Sequence, residues 1–322
     1  QAKLPRDVLR VRIFVDSCSG GVSLLLCRIP TTVLNGPRFP SQLAASCRRI
    51  VLALSGSQFV FLSRVASSNL SMTSLPSVQY ASRTDKGMRR AMNQDSLQVR
   101  IGTDPDEWSR CGYLFVVADG MGGHAVGDLA SRIAVEELPH AYFKRDAATI
   151  ENRLRDAILA ANRAINNRGR ENREFEGMGT TCSVLSLTEQ GAFVGHVGDS
   201  RVYRIRNGQI QQMTEDHSLL NDYMKMKRLS EEEIRNFPHK NVIVRALGMK
   251  DTVKVDTRHE YPRSGDVVLL CSDGLSGPVS DPEILRVVTE TQDLEAAAAA
   301  LIAAANSNGG PDNITCVLAR WS

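Results

Sequence analysis

The stretch Tyr113–Gly123, YLFVVADGMGG, decides how this chain is read. It opens on an unbroken apolar run rich in aromatic and β-branched residues, the composition of a strand buried on both faces. The run ends in Asp119-Gly120. An ionised carboxylate at the end of a buried strand is costly unless something neutralises it. The same pattern returns at Val267–Gly277, VVLLCSDGLSG, where a second apolar run ends in Asp273-Gly274.

Three more aspartates sit in comparable settings: Asp95 in RRAMNQDS, Asp199 in GHVGDSR and Asp312 in GGPDNIT. Most lie beside Gly, Pro or Asn, residues that let the backbone turn sharply. Singly, each reads as a turn former or helix cap. Together they predict a shared cation. Hard ions such as Mg²⁺ and Mn²⁺ prefer carboxylate, carbonyl and water oxygens. Two such ions about 3.5–4 Å apart can share a water and make it a nucleophile for attack on phosphorus.

Around these aspartates the texture is that of an α+β domain. SVQYAS and DSLQVRI read as short strands. Residues 125–143 and 147–168 carry apolar residues at three- and four-residue spacing and read as helices. TTCSVLSL, GAFVGHVG and RVYRIR follow as strands, the last turning at Asn207-Gly208 into QIQQM. Residues 216–245 are polar and helix-prone, with SEEE at 230–233 as a helix start. TVKVDTRHEY and VVLLCSD read as strands, DPEILRVVTE and LEAAAAALIAAANS as helices, and ITCVLARW as a closing strand. Strands in meanders and helices in pairs predict a sandwich with helix pairs outside antiparallel sheets, not a parallel βαβ repeat.

Residues 1–75 differ. They are rich in Ser and Arg and contain no Glu. Nine Lys/Arg against two Asp give residues 1–71 a local +7, which leaves −4 for the rest of a chain whose net charge is +3. They are read as an N-terminal extension, poorly ordered or a non-native leader, with features of a transit or signal peptide around Arg48-Arg49. A mildly acidic body offers no electrostatic case for nucleic acid. No apolar run reaches the ~18 residues of a membrane span. The seven cysteines include no CxxC pair, and Cys182, Cys271 and Cys316 fall in apolar runs. They read as reduced core residues of a cytoplasmic protein.

Other chemistries fit poorly. Gly120–Ala125 formally matches G-x-G-x-x-A, but Asp119 would aim its charge at the dinucleotide phosphates. There is no P-loop, no HExxH and no G-x-S-x-G frame. An aspartyl-phosphate enzyme would want a second Asp two positions on, where Met121 and Leu275 stand. A binding module with a dead site would lack carboxylates that are present here. A phosphodiesterase or nuclease is disfavoured by the −4 body.

The ordered set RRAMNQDS, VVADGMGGH, GTTCSVL, GHVGDSRVYRIRNG, VVLLCSDGLSG and GGPDNIT resembles the metal-dependent protein phosphatases of the PP2C (PPM) family, in bacterial form, across residues 76–322. The resemblance implies a four-layer α-β-β-α sandwich. It implies hydrolysis of phosphoserine and phosphothreonine in proteins by a metal-bridging hydroxide, with Mn²⁺ or Mg²⁺. Asp119 would bridge two core ions and the Gly120 carbonyl would ligate one. Asp273 and Asp312 would share an ion, and Asp95 would hold a bound water or a metal. Asp199 with Asp273 would form a third, weaker site. Arg90 matches the arginine that binds the substrate phosphate, a role suited to a guanidinium fork. Residues 216–245 take the place of a flap near the active site. Met121 stands where eukaryotic members carry a histidine proposed as general acid, which leaves that role to His124 or a metal-bound water. Gln94 replaces a common Glu. The expected protein is a monomer acting on phosphoproteins, partnered by a Ser/Thr kinase.

Overall fold

The structure is a computed structural model. It describes residues 51–55, 58–62 and 78–321, apart from 103, 123, 124, 145, 146, 228, 236 and 239–241. The chain divides into two units, residues 1–72 and 73–322. In the first, strands β1 (Val51–Ser55) and β2 (Gln58–Leu62) pair antiparallel.

The second unit begins with β3 (Val78–Asp85) and β4 (Asp95–Arg100), then α1 (Pro105–Cys111) and β5 (Tyr113–Met121). Helices α2 (Ala125–Lys144) and α3 (Ile150–Glu171) follow as an adjacent pair. Next come β6 (Gly179–Thr180), β7 (Cys182–Thr188), β8 (Gly191–Val197), β9 (Arg201–Arg206) and β10 (Gln209–Gln212). Helices α4 (Leu219–Met226) and α5 (Glu231–Arg235) interrupt the strands before β11 (Asp256–Glu260) and β12 (Val267–Cys271). The chain closes with α6 (Asp273–Ser276), α7 (Asp281–Glu290), α8 (Leu294–Ser307) and β13 (Ile314–Trp321).

Two antiparallel sheets form the centre. One runs β10-β9-β12-β13-β3, the other β11-β8-β7-β5-β4. Helices α2 and α3 pack on the second sheet, α7 and α8 on the first. This is the α+β sandwich with paired outer helices that the element order predicts.

Strand alternation explains the layering. In β5, Leu114, Val116 and Ala118 pack toward α2 and α3, while Tyr113, Phe115 and Val117 pack between the sheets. In β12, Val267, Leu269 and Cys271 face α7 and α8, and Val268 and Leu270 face the inter-sheet layer. Each strand is therefore apolar on both faces, which is why both read as continuous runs. The same parity carries Asp119, two residues beyond Val117, onto the inter-sheet face. Asp95 precedes Leu97 and Val99 on that face of β4.

Differences from the sequence expectations are local. Helix α1 was not expected. Asp104 caps it, accepting from the Asp106 N–H at 2.9 Å, and Pro105 starts it. Strand β11 covers only Asp256–Glu260 of the expected TVKVDTRHEY. Asp119 lies inside β5 rather than at its end, and Asp273 opens the short α6. Cys182, Cys271 and Cys316 are buried free thiols as expected, and burial pushes Cys182 up to about 12.

Candidate metal centre

The carboxylates gather at one end of the inter-sheet layer. Asp95 and Asp119 are direct partners across the β4–β5 ladder. Asp119 is fixed through its backbone: its N–H donates to Thr181 Oγ1 at 2.9 Å, and its carbonyl accepts from Thr180 Oγ1 at 2.8 Å. Asp95 Oδ2 accepts from Ser272 Oγ at 2.8 Å, which ties the end of one sheet to the other. Asp273 follows Ser272 directly, in the first turn of α6, and its side chain lies beside that of Asp119. Asp199 sits in the turn between β8 and β9, and Asp312 in the turn before β13.

Packing explains the glycines after Asp119 and Asp273. A Cβ on Gly120 would lie 2.1 Å from the Gly127 carbonyl oxygen, and one on Gly274 1.9 Å from that of Asn313. Close approach of protein backbone forbids any side chain at either position.

Crowding dominates the electrostatics. Burial, reinforced by Asp95, Asp273, Asp199 and Asp312, holds Asp119 well above the ordinary carboxylate range. Asp119 as a whole residue is half-buried, and the four carboxylates around it push the same way as burial. Burial pushes Asp95 up to about 7, with Asp273 and Asp312 adding repulsion against the Thr315 and Ser272 hydrogen bonds. Asp199 also rises to about 7 through burial and then the Asp273 charge. Asp273 is raised by burial and by Asp312. Like charges packed this closely cannot all ionise without a counter-charge.

The cluster fits a divalent ion chemically. Asp95 Oδ1, Asp199 Oδ1 and Asp273 Oδ1 are buried oxygens with no hydrogen-bond donor, although buried acceptors are normally paired. All five donors are hard oxygens of the class Mg²⁺ and Mn²⁺ prefer. Among the described residues no three such side chains are placed, as they stand, to hold a metal ion. The three orphaned oxygens are acceptors that a cation would satisfy.

Arg90 reaches the cluster from the β3–β4 loop. Its Nη2 donates to Asp312 Oδ2 at 2.6 Å while half its side chain stays exposed. The 216–245 segment is rooted beside Asp199: the His217 N–H donates to the Gly198 carbonyl at 2.8 Å, and the Gly198 N–H to His217 Nδ1 at 3.0 Å. Ser230 and Glu233 form the capping box that SEEE predicts. His196 is buried, bonded to Ser183 Oγ and to the Glu215 carbonyl. His124 lies outside the described residues. Sequence reasoning missed Ser272, His217 and Asn313. Lone polar residues carry no periodic signal; Ser272, beside Asp273, and Asn313, beside Asp312, had only a positional cue.

The profile of the protein phosphatase 2C family matches residues 86–319. This chain belongs to that family. The protein phosphatase 2C sequence is 37% identical over 240 residues to the serine/threonine phosphatase stp of Listeria monocytogenes, covering 73% of this chain and 93% of that one. It matches protein phosphatase PhpP of Streptococcus pneumoniae equally, at 37% identity, with 73% and 94% covered. Among solved structures, the phosphatase PstP/Ppp of Mycobacterium tuberculosis superposes with a TM-score of 0.68 at 35% identity, covering 76% of this chain and 99% of that one. The PstP catalytic domain in complex with two manganese ions gives 0.64 at 35% identity, with 76% and 97% covered. Metal dependence goes with the family. Among the described residues no helix is long and apolar enough to cross a membrane.

Proposed function

We propose that this protein phosphatase 2C hydrolyses phosphoserine and phosphothreonine in proteins. The observation that carries the reading is the convergence of Asp95, Asp119, Asp199, Asp273 and Asp312, three with an orphaned buried oxygen, next to a half-exposed Arg90. In this reading Asp95, Asp119, Asp273 and Asp312, with the Gly120 carbonyl, would hold divalent ions, Mn²⁺ or Mg²⁺, and Asp199 with Asp273 would offer a further, weaker site. When bound, such ions supply charge that activates water for in-line attack on phosphorus.

The chain's own residues do the rest. Arg90 places two N–H donors toward the phosphoryl oxygens and offsets the charge that builds there. Its partner Asp312 holds the guanidinium at the mouth of the cluster. The Ser272 hydroxyl fixes Asp95, and Thr180 and Thr181 fix Asp119, so the carboxylates are preorganised. The unit responsible is proposed to span residues 76–322, with a Ser/Thr kinase supplying its phosphoproteins.

The test sets a phosphothreonine peptide and p-nitrophenyl phosphate against bis-p-nitrophenyl phosphate, all with Mn²⁺. Hydrolysis of the two monoesters and not the diester supports the reading. A preference for the diester overturns it in favour of a phosphodiesterase.

A further inference from the structure

We propose that Asn313 is the positioning residue for Arg90: its side-chain amide clamps both feet of the loop that carries the arginine. The inference rests on the phosphate-binding role given to Arg90 above.

Asn313 is 4% exposed and directly precedes β13. Its Nδ2 donates to the Lys86 carbonyl at 2.9 Å and to the Met92 carbonyl at 2.8 Å. Its Oδ1 accepts from the Gln94 N–H at 2.9 Å. All three partners are backbone groups of one segment, and Arg90 lies between the two carbonyls held by the same nitrogen. The Asn313 backbone N–H donates to Asp312 Oδ1 at 2.8 Å, while Oδ2 of the same carboxylate takes Arg90. One residue therefore orients both the loop and the acid that the loop's arginine grips.

The rest of the loop is held by polar contacts and not by apolar burial. Met88 is 70% exposed and Met92 47%, so apolar burial does not fix its path. Polar ties do: the Met88 N–H to the Gly310 carbonyl at 2.9 Å, and Asn93 Nδ2 to Thr84 Oγ1 at 2.8 Å. At Gly87, with φ of 75°, a Cβ would lie 2.1 Å from the Asp312 carbonyl oxygen, so the loop sits hard against the turn that presents Asn313. An exposed loop closed at both feet by one buried amide loses its defined path when the amide is removed. The functional group carried on that loop is Arg90.

The experiment is a double-mutant cycle on the full chain, with kcat/KM for p-nitrophenyl phosphate in Mn²⁺ and thermal unfolding of every variant. Asn313→Ala and Arg90→Ala are made singly and together. Misplacing a catalytic group by about 1 Å costs on the order of 100-fold, so Asn313→Ala is expected to lose about 10- to 100-fold. The double variant should fall within about threefold of Arg90→Ala alone, because coupled residues do not add. Losses that multiply overturn the proposal while leaving the role of Arg90 standing. An Arg90→Ala enzyme close to wild type overturns both. Asn313→Ser, which keeps one short donor, is the second variant. If neither 313 variant folds, Asn313 belongs to the fold rather than to Arg90, and the proposal is wrong.

Discussion

Arg90 and Asp312, 222 residues apart in sequence, meet at 2.6 Å between Nη2 and Oδ2. The pair joins the β3–β4 loop to the turn before β13 and sets a cation at the edge of an acidic cluster. Half of the Arg90 side chain remains exposed, so as an ion pair alone it contributes little to stability. In the proposed function it places a guanidinium where a phosphate would reach it.

Arg90→Lys is therefore informative. It keeps the charge and removes the planar fork, and that exchange is not conservative at a bidentate site. The expected outcome is a loss of about 10- to 100-fold in kcat/KM for a phosphothreonine peptide, since charge-assisted bidentate bonds are about twice as strong as neutral ones. Steady-state kinetics check it. Unchanged kinetics would mean that the arginine does not touch the phosphate.

Asp119→Asn and Asp273→Asn each remove one charge from the cluster. Each is expected to lower turnover of p-nitrophenyl phosphate by about 100-fold or more, in line with removal of a main electrostatic group from an active site. Each should also weaken Mn²⁺ binding in calorimetry. A fall of less than about tenfold in either would place the active site elsewhere.

Much of this was legible in the sequence because the chemistry is written in short strings. The runs before Asp119 and Asp273 are apolar on both faces, and only a sheet buried on both sides requires that. Paired helices beside meandering strands gave the sandwich. What could not be read is what depends on distant partners. Asn313 bonds backbone carbonyls more than 220 residues away, and no pattern around it signals that. Helix α1 has only seven residues, too few for a 3.6-residue period to show. The role of Gly274 was only partly visible: a Gly beside Asp273 reads as a sharp turn, whereas the position is fixed by the close approach of the Asn313 carbonyl.

That packing makes Gly274→Ala a stability test. The added methyl meets backbone, which cannot swing aside as a flexible side chain would. Overpacking of this kind costs about 1–3 kcal/mol. Urea unfolding of the variant should show that loss, and the displaced turn should weaken Mn²⁺ binding with it. A variant as stable as wild type contradicts the close approach.

Acid sensitivity should trace to His196. Burial first, then the His217 charge, lowers its pKa from 6.5 to about 3. The folded state thus favours the neutral ring. Its contribution is present above pH 6.5 and is lost as the pH falls toward 3. Between pH 7 and pH 5 the loss from this one group is about 2 kcal/mol. Urea unfolding at the two pH values should show wild type losing about that much more than His196→Gln, which does not titrate. Parallel losses in the two proteins would contradict a buried neutral histidine.

The central claim is that the five aspartates act on phosphate through a bound divalent ion. Its most direct test is release of phosphate from a phosphothreonine peptide by the full chain, stripped with EDTA and then resupplied with Mn²⁺, beside Asp119→Asn treated the same way. The expected outcome is no release after stripping, recovery with Mn²⁺ in the wild type and none in the variant. Release that persists in EDTA, or recovery that is equal in the two proteins, would contradict it.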